Sequence, residues 1–287
     1  MALIDKVKAL PLYLGGLRPY LRYQIGRHTN RPVITGPYLR TYSWLGPLYV
    51  IKDDPEVSRF IREEGVYDIS LNLELNRLLT PGLQVVNVGA NIGYFAVLAA
   101  QRTHTQVLCF EPDHRSFGAL VKNAQLYPLL NPFSFAVGDR DGEIAMLLDP
   151  VPGNSSLYAA DSGTLKTVRM VRLDTFLKSS PDALLMDVQG AELLVLKGAD
   201  KFLRQIRFIV FEFWPYGLEK TGGTTDELRA ILHAHGFQLR HLGRTSLPDP
   251  EQRWADLVRR LRATKSGRGF CNLLAYRSGL SLQGNGE

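Results

Sequence analysis

Val85-Val-Asn-Val-Gly-Ala-Asn-Ile-Gly-Tyr-Phe-Ala-Val-Leu-Ala-Ala100, closed by Val107-Leu-Cys-Phe-Glu111, is the stretch that decides the fold. Val85 to Val88 is a short run of mostly β-branched residues, the pattern of a parallel strand buried on both faces. Gly89-Ala-Asn-Ile-Gly93 follows at once, and a glycine there lets the backbone turn sharply and lets a ligand come close. From Ile92 to Ala100 apolar and small residues recur at helical spacing, so a helix begins beside the glycines. Val107 to Phe110 reads as a second strand, with Glu111 at its C-terminal end, 22 positions after Gly89. Glycines and a helix start near one end of a ligand, with a carboxylate for ribose hydroxyls at the other, are the geometry of a nucleoside site.

The turn is G-x-x-x-G, with Ala90 and Asn91 inside it, and not G-x-G-x-x-G. A diphosphate-binding loop packs three glycines so that backbone N–H groups can cradle phosphate. Two glycines disfavour a dinucleotide, and with it a nicotinamide-dependent oxidoreductase. A nucleoside without phosphates, such as S-adenosylmethionine, suits the loop better.

The 287 residues suffice for one large α/β domain with an accessory region. Hydrophobic residues at 45% and charged residues at 22% are ordinary for a globular protein. No apolar run reaches 18 residues, and the start Met1-Ala-Leu-Ile-Asp-Lys lacks the features of a signal peptide, so a cytoplasmic location is expected. The two cysteines, Cys109 and Cys271, cannot build a metal cluster alone, and no metal is expected. The net charge of +6 and a pI near 9.3 raise the question of anionic partners. Neither an aromatic-basic ribonucleoprotein motif nor a zinc finger is present, so nucleic acid is not expected. Arginines gather at Arg18, Arg22, Arg27 and Arg31 and again from Arg253 to Arg268. A solvated face explains them, and peripheral contact with an anionic membrane surface is the sharper alternative. A homo-oligomer also stays open.

Residues 1 to 80 read as an N-terminal extension of helical pieces and a β-hairpin over residues 33 to 51, followed by helices from Asp54 to about Glu64 and from Asn72 to Leu79. Pro81-Gly82 opens the main domain, residues 81 to 278, and the tail 279 to 287 is expected to be disordered. Strands are expected at Phe133–Val137, Glu143–Leu148, Val168–Arg172, Leu184–Asp187, Arg207–Phe213, Phe237–Leu242 and Phe270–Tyr276. Helices are expected at Arg115–Leu126, Ala191–Leu203, Asp226–His235 and around Ala255–Arg262. Alternating strands and helices imply a mostly parallel sheet covered on both faces, with ligands at the C-terminal strand ends. Polar residues stand at five such ends: Asn87 with Gly89, Glu111, Asp139, Asp187 and Glu212.

The ordered motifs carry a resemblance. Val85-Val-Asn-Val-Gly-Ala-Asn-Ile-Gly-Tyr-Phe, Phe110-Glu-Pro112, Ala136-Val-Gly-Asp139, Asn154-Ser-Ser-Leu157, Met186-Asp-Val-Gln-Gly-Ala-Glu-Leu194 and Val210-Phe-Glu212 together resemble the FkbM family of S-adenosylmethionine-dependent methyltransferases. The resemblance implies a class I methyltransferase (Rossmann-like) fold, an α/β architecture with a seven-stranded, mostly parallel sheet whose last strand is antiparallel. It implies methyl transfer to a hydroxyl of a sugar, glycan, glycolipid or glycosylated natural product. Gly89, Ala90, Asn91 and Gly93 would line the methionine and ribose end with Asn87, Glu111 would hold the ribose, and Val137 and Asp139 would flank adenine. Asp187 would face the transfer site. A sugar hydroxyl is a poor nucleophile near neutral pH, so a general base is expected, and Asp187 and Glu212 are the candidates. Asn154, Ser155, Ser156 and Gln189 are placed toward the acceptor.

Two residues depart from the family's pattern: Asn87 stands where it has Asp, and Gln189 where it has Glu. Each amide keeps an acceptor oxygen but loses a charge and gains donors. These departures leave a non-catalytic cofactor-binding or scaffold role as the alternative.

Overall fold

The computed structural model describes residues 17–29, 33–152, 154, 155, 157, 164–243, 245–264 and 268–278. Among the described residues, the extension comprises helix α1 (Leu17–Thr29) and a three-stranded antiparallel sheet, β1 (Val33–Thr35), β2 (Tyr38–Ser43) and β3 (Gly46–Ile51). The sequence patterning marks a hairpin here, and a third strand joins it. Helices α2 (Val57–Glu64) and α3 (Ile69–Leu78) follow. Asp54 accepts the amide hydrogens of Glu56 and Ser58, and Asp68 caps α3 by accepting from Leu71.

The main domain alternates β4 (Val85–Val88), α4 (Tyr94–Thr103), β5 (Val107–Phe110), α5 (His114–Leu126) and β6 (Leu130–Phe133). After an excursion through β7 (Ala136–Val137), β8 (Gly142–Leu148), β9 (Thr164–Val171) and α6 (Leu173–Phe176), it returns to β10 (Ala183–Met186). Then come α7 (Glu192–Gly198), α8 (Asp200–Leu203), β11 (Phe208–Phe213), α9 (Pro215–Lys220), α10 (Thr225–Ala234), β12 (Gln238–His241), α11 (Trp254–Arg262) and β13 (Cys271–Tyr276).

Seven strands form the central sheet in the order β12-β13-β11-β10-β4-β5-β6. Strands β11, β10, β4, β5 and β6 run parallel, and β13 inserts antiparallel between β12 and β11. This is the class I methyltransferase arrangement. The chain winds outward from β4 in one direction through β5 and β6, and in the other through β10 and β11. The switch point therefore lies between β4 and β10, where Val85 pairs with Ala183 and Val88 with Met186.

Alternation along the strands sorts the core into two layers. Val85, Ala183, Leu185 and Val210 face a cluster built with α4, α5 and the extension, which contributes Tyr23, Trp44, Leu48, Val50 and Ile61. Val86, Leu184, Met186 and Phe211 face the opposite cluster, with Leu193, Leu196, Leu228 and Trp254. Asn87, two residues on from Val85, points to the same face as the extension.

Two expected elements are corrected. A single strand from Phe133 to Val137 does not form. Phe133 ends β6 in the main sheet, while Ala136 and Val137 pair in parallel with Met170 and Val171 in a separate three-stranded sheet, β7-β9-β8. The expected helix from Ala191 to Leu203 is two pieces that meet at Ala199. Residues 279–287 and residues 1–16 lie outside the described residues.

Candidate functional site

The loop after β4 is shaped by backbone contacts before any ligand is considered. Gly89 sits at φ +72, and a Cβ there would lie 1.8 Å from the carbonyl oxygen of Asp187. Only glycine permits β4 and β10 to approach this closely at their ends. The loop amides are already used: Gly89 and Ala90 both donate to the carbonyl of Phe110 at 2.9 Å, Asn91 donates to Glu111 Oε2 at 2.8 Å, and Gly93 donates to the Ala90 carbonyl at 2.8 Å. A loop whose N–H groups are committed in this way has little left to cradle a phosphate. That is the physical counterpart of the two-glycine pattern.

Glu111 is buried at the end of β5. Its Oε2 accepts from Asn91 and its Oε1 from the amide of Asp113, both at 2.8 Å. Burial pushes its carboxyl up to about 8, against the lowering effect of these two hydrogen bonds. Asp113, two residues on, caps α5 and forms an ion pair with Arg115 at 2.6 Å. Its burial would raise it, but hydrogen bonds from the Arg115 side chain and backbone and from Ser155 outweigh that and hold it low. Ser155 donates to Asp113 Oδ2 at 2.8 Å, and Arg115 also donates to the carbonyl of Asp149 at 2.7 Å. The segment after β8 is thereby tied down beside Glu111.

Three hollows meet around Asn91 and Asp187. The first encloses about 600 Å³, open solvent included, and is lined by Gly89, Glu111, Asp113, Phe135, Val137, Met146, Ser155 and Leu157. Its apolar walls suit a nucleoside, with the buried Glu111 set among them and Asp113 already paired with Arg115. The second, about 620 Å³, lies on the extension's side of the sheet against Asn87, Ala90, Tyr67, Leu71, Tyr94 and Asn272. Asn87 donates weakly to the carbonyl of Leu185 at 3.4 Å, and Oδ1 of both Asn87 and Asn91 is buried with no partner. Orphaned acceptors cost free energy unless a donor arrives, so this end is built for a ligand carrying N–H or O–H groups. The third, the mouth, is larger at about 1070 Å³, open solvent included, and is bounded by Glu56, Tyr67, Asp149, Asn154, Gln189, Glu212, Trp214 and Arg268.

Asp187 lines all three hollows. Its side chain is exposed, but to a narrow cleft walled by protein. Desolvation there lifts its carboxyl to about 6, with a further rise from Asp68, against a hydrogen bond from Gln189. Gln189 Nε2 spans the two acids, 3.0 Å from Asp187 Oδ1 and 3.4 Å from Glu212 Oε2. Glu212 is held well above the ordinary carboxylate range, first by burial and then by the charges of Asp187 and Glu192. Gln189 adopts φ +52, a costly conformation for a residue with a side chain. Glu192 supports the turn: it is buried, its Oε1 accepts from Val188 and Gly190, and burial pushes it to about 7. Tyr67 stands at the same junction, its hydroxyl held above its ordinary range by burial and by Asp187, Asp68 and Glu212.

The structure therefore brings together Asn87, Gly89, Ala90, Asn91, Glu111, Val137, Ser155, Asn154, Asp187, Gln189 and Glu212. Gly93 lies behind the loop, packed toward Leu120, and is not among the lining residues. Asp139 is not among the residues that line the three hollows. Its carboxylate meets Arg140 at 3.4 Å and its carbonyl accepts from Arg172, because the chain has turned into the small sheet by that point. Ser156 lies outside the described residues. Sequence reasoning passed over Asp113, Tyr67, Phe135 and Trp214. Asp113 carried a legible signal, an Asp before a helix; Tyr67 and Trp214 reach the cleft through packing that no local pattern encodes.

Residues 87–239 match the family model described as "Methyltransferase FkbM domain". Among curated proteins, the hexuronic acid methyltransferase AglP of Haloferax volcanii is 28% identical over 131 residues, which is 44% of this chain and 54% of that protein. Methyltransferase 1 of Beauveria bassiana is 29% identical over 40% of this chain and 58% of its own length. The 2-O-methyltransferase NoeI of Sinorhizobium fredii is 27% identical over 55% of this chain and 82% of that protein. The chain thus spans little more than half the length of the first two. A crystal structure of an FkbM methyltransferase from Methylobacillus flagellatus superposes with a TM-score of 0.45 at 15% identity, covering 68% of this chain and 43% of the other.

Proposed function

The chain belongs to the methyltransferase FkbM domain family, and from that premise we propose that it is an S-adenosylmethionine-dependent O-methyltransferase acting on a hydroxyl of a sugar, glycan, glycolipid or glycosylated natural product. The observation that carries the reading is the junction at Asp187. There a hollow with apolar walls and the buried Glu111, a hollow with orphaned acceptors, and the larger mouth converge on two carboxylates bridged by Gln189. The names of the Haloferax and Sinorhizobium relatives support a sugar acceptor.

Bound S-adenosylmethionine supplies a methyl group already activated on sulfonium. The residues need to hold, orient and deprotonate. Glu111 keeps a free lone pair on each oxygen beyond the two backbone hydrogen bonds, and these would accept the ribose hydroxyls. Asn87 and Asn91 would offer their unpartnered oxygens to the amino group of the methionine end. Phe135, Val137 and Met146, which line the first hollow, would bound the adenine side. Asp187, the more readily ionised of the two bridged acids, takes the proton of the acceptor hydroxyl. A base poised near the working pH contributes roughly 10²–10⁴-fold, and alignment of the two reactants adds several kcal/mol. Gln189 holds Asp187 in place while Glu212, more readily protonated, leaves the negative charge on Asp187.

Methyl transfer from radiolabelled S-adenosylmethionine to a panel of glycosides tests this reading, with Asp187→Asn as the control. Label in the product from the parent protein and its loss in the variant are expected. A protein that binds S-adenosylhomocysteine yet labels no hydroxylated acceptor would instead favour the cofactor-binding scaffold suggested by Asn87 and Gln189.

A further inference from the structure

We propose that the acceptor of this site is an uncharged or cationic sugar, and that the mouth of the cleft discriminates against acidic sugars such as uronates; this rests on the reading of the cleft as a sugar methyltransferase site. Among the described residues, the lining of the mouth carries four carboxylates, Glu56, Asp149, Asp187 and Glu212, against one guanidinium, Arg268. With one proton shared between Asp187 and Glu212, three negative charges still face one positive charge. The guanidinium is also engaged elsewhere, since Arg268 lies over the Tyr216 ring at 4.9 Å. An anionic acceptor would have to bring its carboxylate into this field, in a concave site where screening is weaker than on an open surface.

The same wall has the chemistry that takes a neutral sugar. Carboxylates and the amide of Asn154, which donates to Glu56 at 3.4 Å, can accept and donate hydrogen bonds to hydroxyls. Trp214 supplies a flat aromatic surface for the C–H face of a pyranose, and its ring stands 5.6 Å from that of Tyr216. A protonated amino sugar gains from both the carboxylates and the aromatic face. The protein as a whole carries +6, so its distant field attracts anions while its mouth repels them. At physiological salt the local charges decide, because the field of remote ones fades within about 8 Å. The resemblance to a hexuronic acid methyltransferase thus does not extend to the acceptor's charge.

The test uses full-length protein saturated with S-adenosylhomocysteine and ligand-observed NMR titration. The ligands are the methyl glycosides of several hexoses, each with its uronic acid and its 2-amino counterpart. The expected order is amino sugar and neutral sugar ahead of uronate by roughly tenfold or more in Kd. In the Glu56→Gln, Asp149→Asn double variant the penalty on the uronate shrinks several-fold relative to its neutral partner. A uronate that binds as tightly as its neutral counterpart overturns the proposal, as does an absence of binding by every sugar. Failure of the protein to take up S-adenosylhomocysteine at the outset would strike the underlying reading, and calorimetry reports it separately.

Discussion

Each oxygen of Glu111 holds one backbone N–H and keeps a lone pair for another donor. Because burial lifts its carboxyl to about 8, binding a ligand through the ionised form must expel a proton at neutral pH. Affinity for S-adenosylhomocysteine is therefore expected to rise from pH 6 to pH 8 and then level off, with proton release at pH 7 detectable by calorimetry in buffers of different ionisation enthalpy. Glu111→Ala should weaken binding by about 1–3 kcal/mol, and an unchanged Kd would refute the assignment. Asp187→Asn should lower kcat by roughly 10²–10⁴-fold while leaving S-adenosylhomocysteine bound. Asn87→Asp is the more discriminating change. A carboxylate would strengthen the hold on the amino group and lower the Kd for S-adenosylmethionine, but it would lose the donation to the Leu185 carbonyl and bury a charge, so the free protein should melt earlier. Asn87 and Gln189 could be picked out from the chain because they stand near strand ends close to glycines, and Glu111 because it closes the next strand, 22 positions after Gly89. Tyr67 could not, because its place at the junction depends on how α3 and its flank pack on the sheet.

The elements around the switch point depend on a few positions with no side chain. Gly89→Ala would set a Cβ against the Asp187 carbonyl and force a strained φ, so the ends of β4 and β10 must part. Thermal melting should drop by several degrees, and cofactor binding should fall with it. An alanine variant that binds normally would mean the close approach is not required. Gly190 is held as tightly, with its Cβ position 2.2 Å from the backbone of Gly217. The long apolar runs made β4, β5, β10 and β11 legible, since a parallel strand buried on both faces is written in continuous β-branched and aromatic residues. The break after Phe133 was not, because Ser134 and Phe135 continue an acceptable strand pattern while the ladder partners change from β5 to β9. After that change of sheet Phe135 and Val137 line the cleft, while the Asp139 carboxylate meets Arg140.

At the scale of the whole molecule, the cleft stores unfavourable charge. Glu111 and Glu192 are held at about 8 and about 7, above the ordinary glutamate value near 4.5. Between those limits the folded chain binds more protons than the unfolded one, so stability falls as pH rises from about 4.5 to 8. Asp113 works in the opposite sense: its lowered carboxyl adds stability above the ordinary aspartate range, which is lost only in acid. Melting followed from pH 5 to 8.5 should show this decline, and Glu192→Gln should flatten it; an equal slope in the variant would contradict the account. The basic excess is partly answered within the fold, since Asp256 pairs with Arg253 and Arg259, and Glu219 with Arg262. The buried Glu111, the committed loop amides and the orphaned oxygens of Asn87 and Asn91 together suit a methyl-donating nucleoside. Isothermal titration of the purified protein with S-adenosylhomocysteine tests that most directly: one site per chain, weakened by Glu111→Ala, is predicted, and the absence of any saturable binding to the parent protein would contradict it.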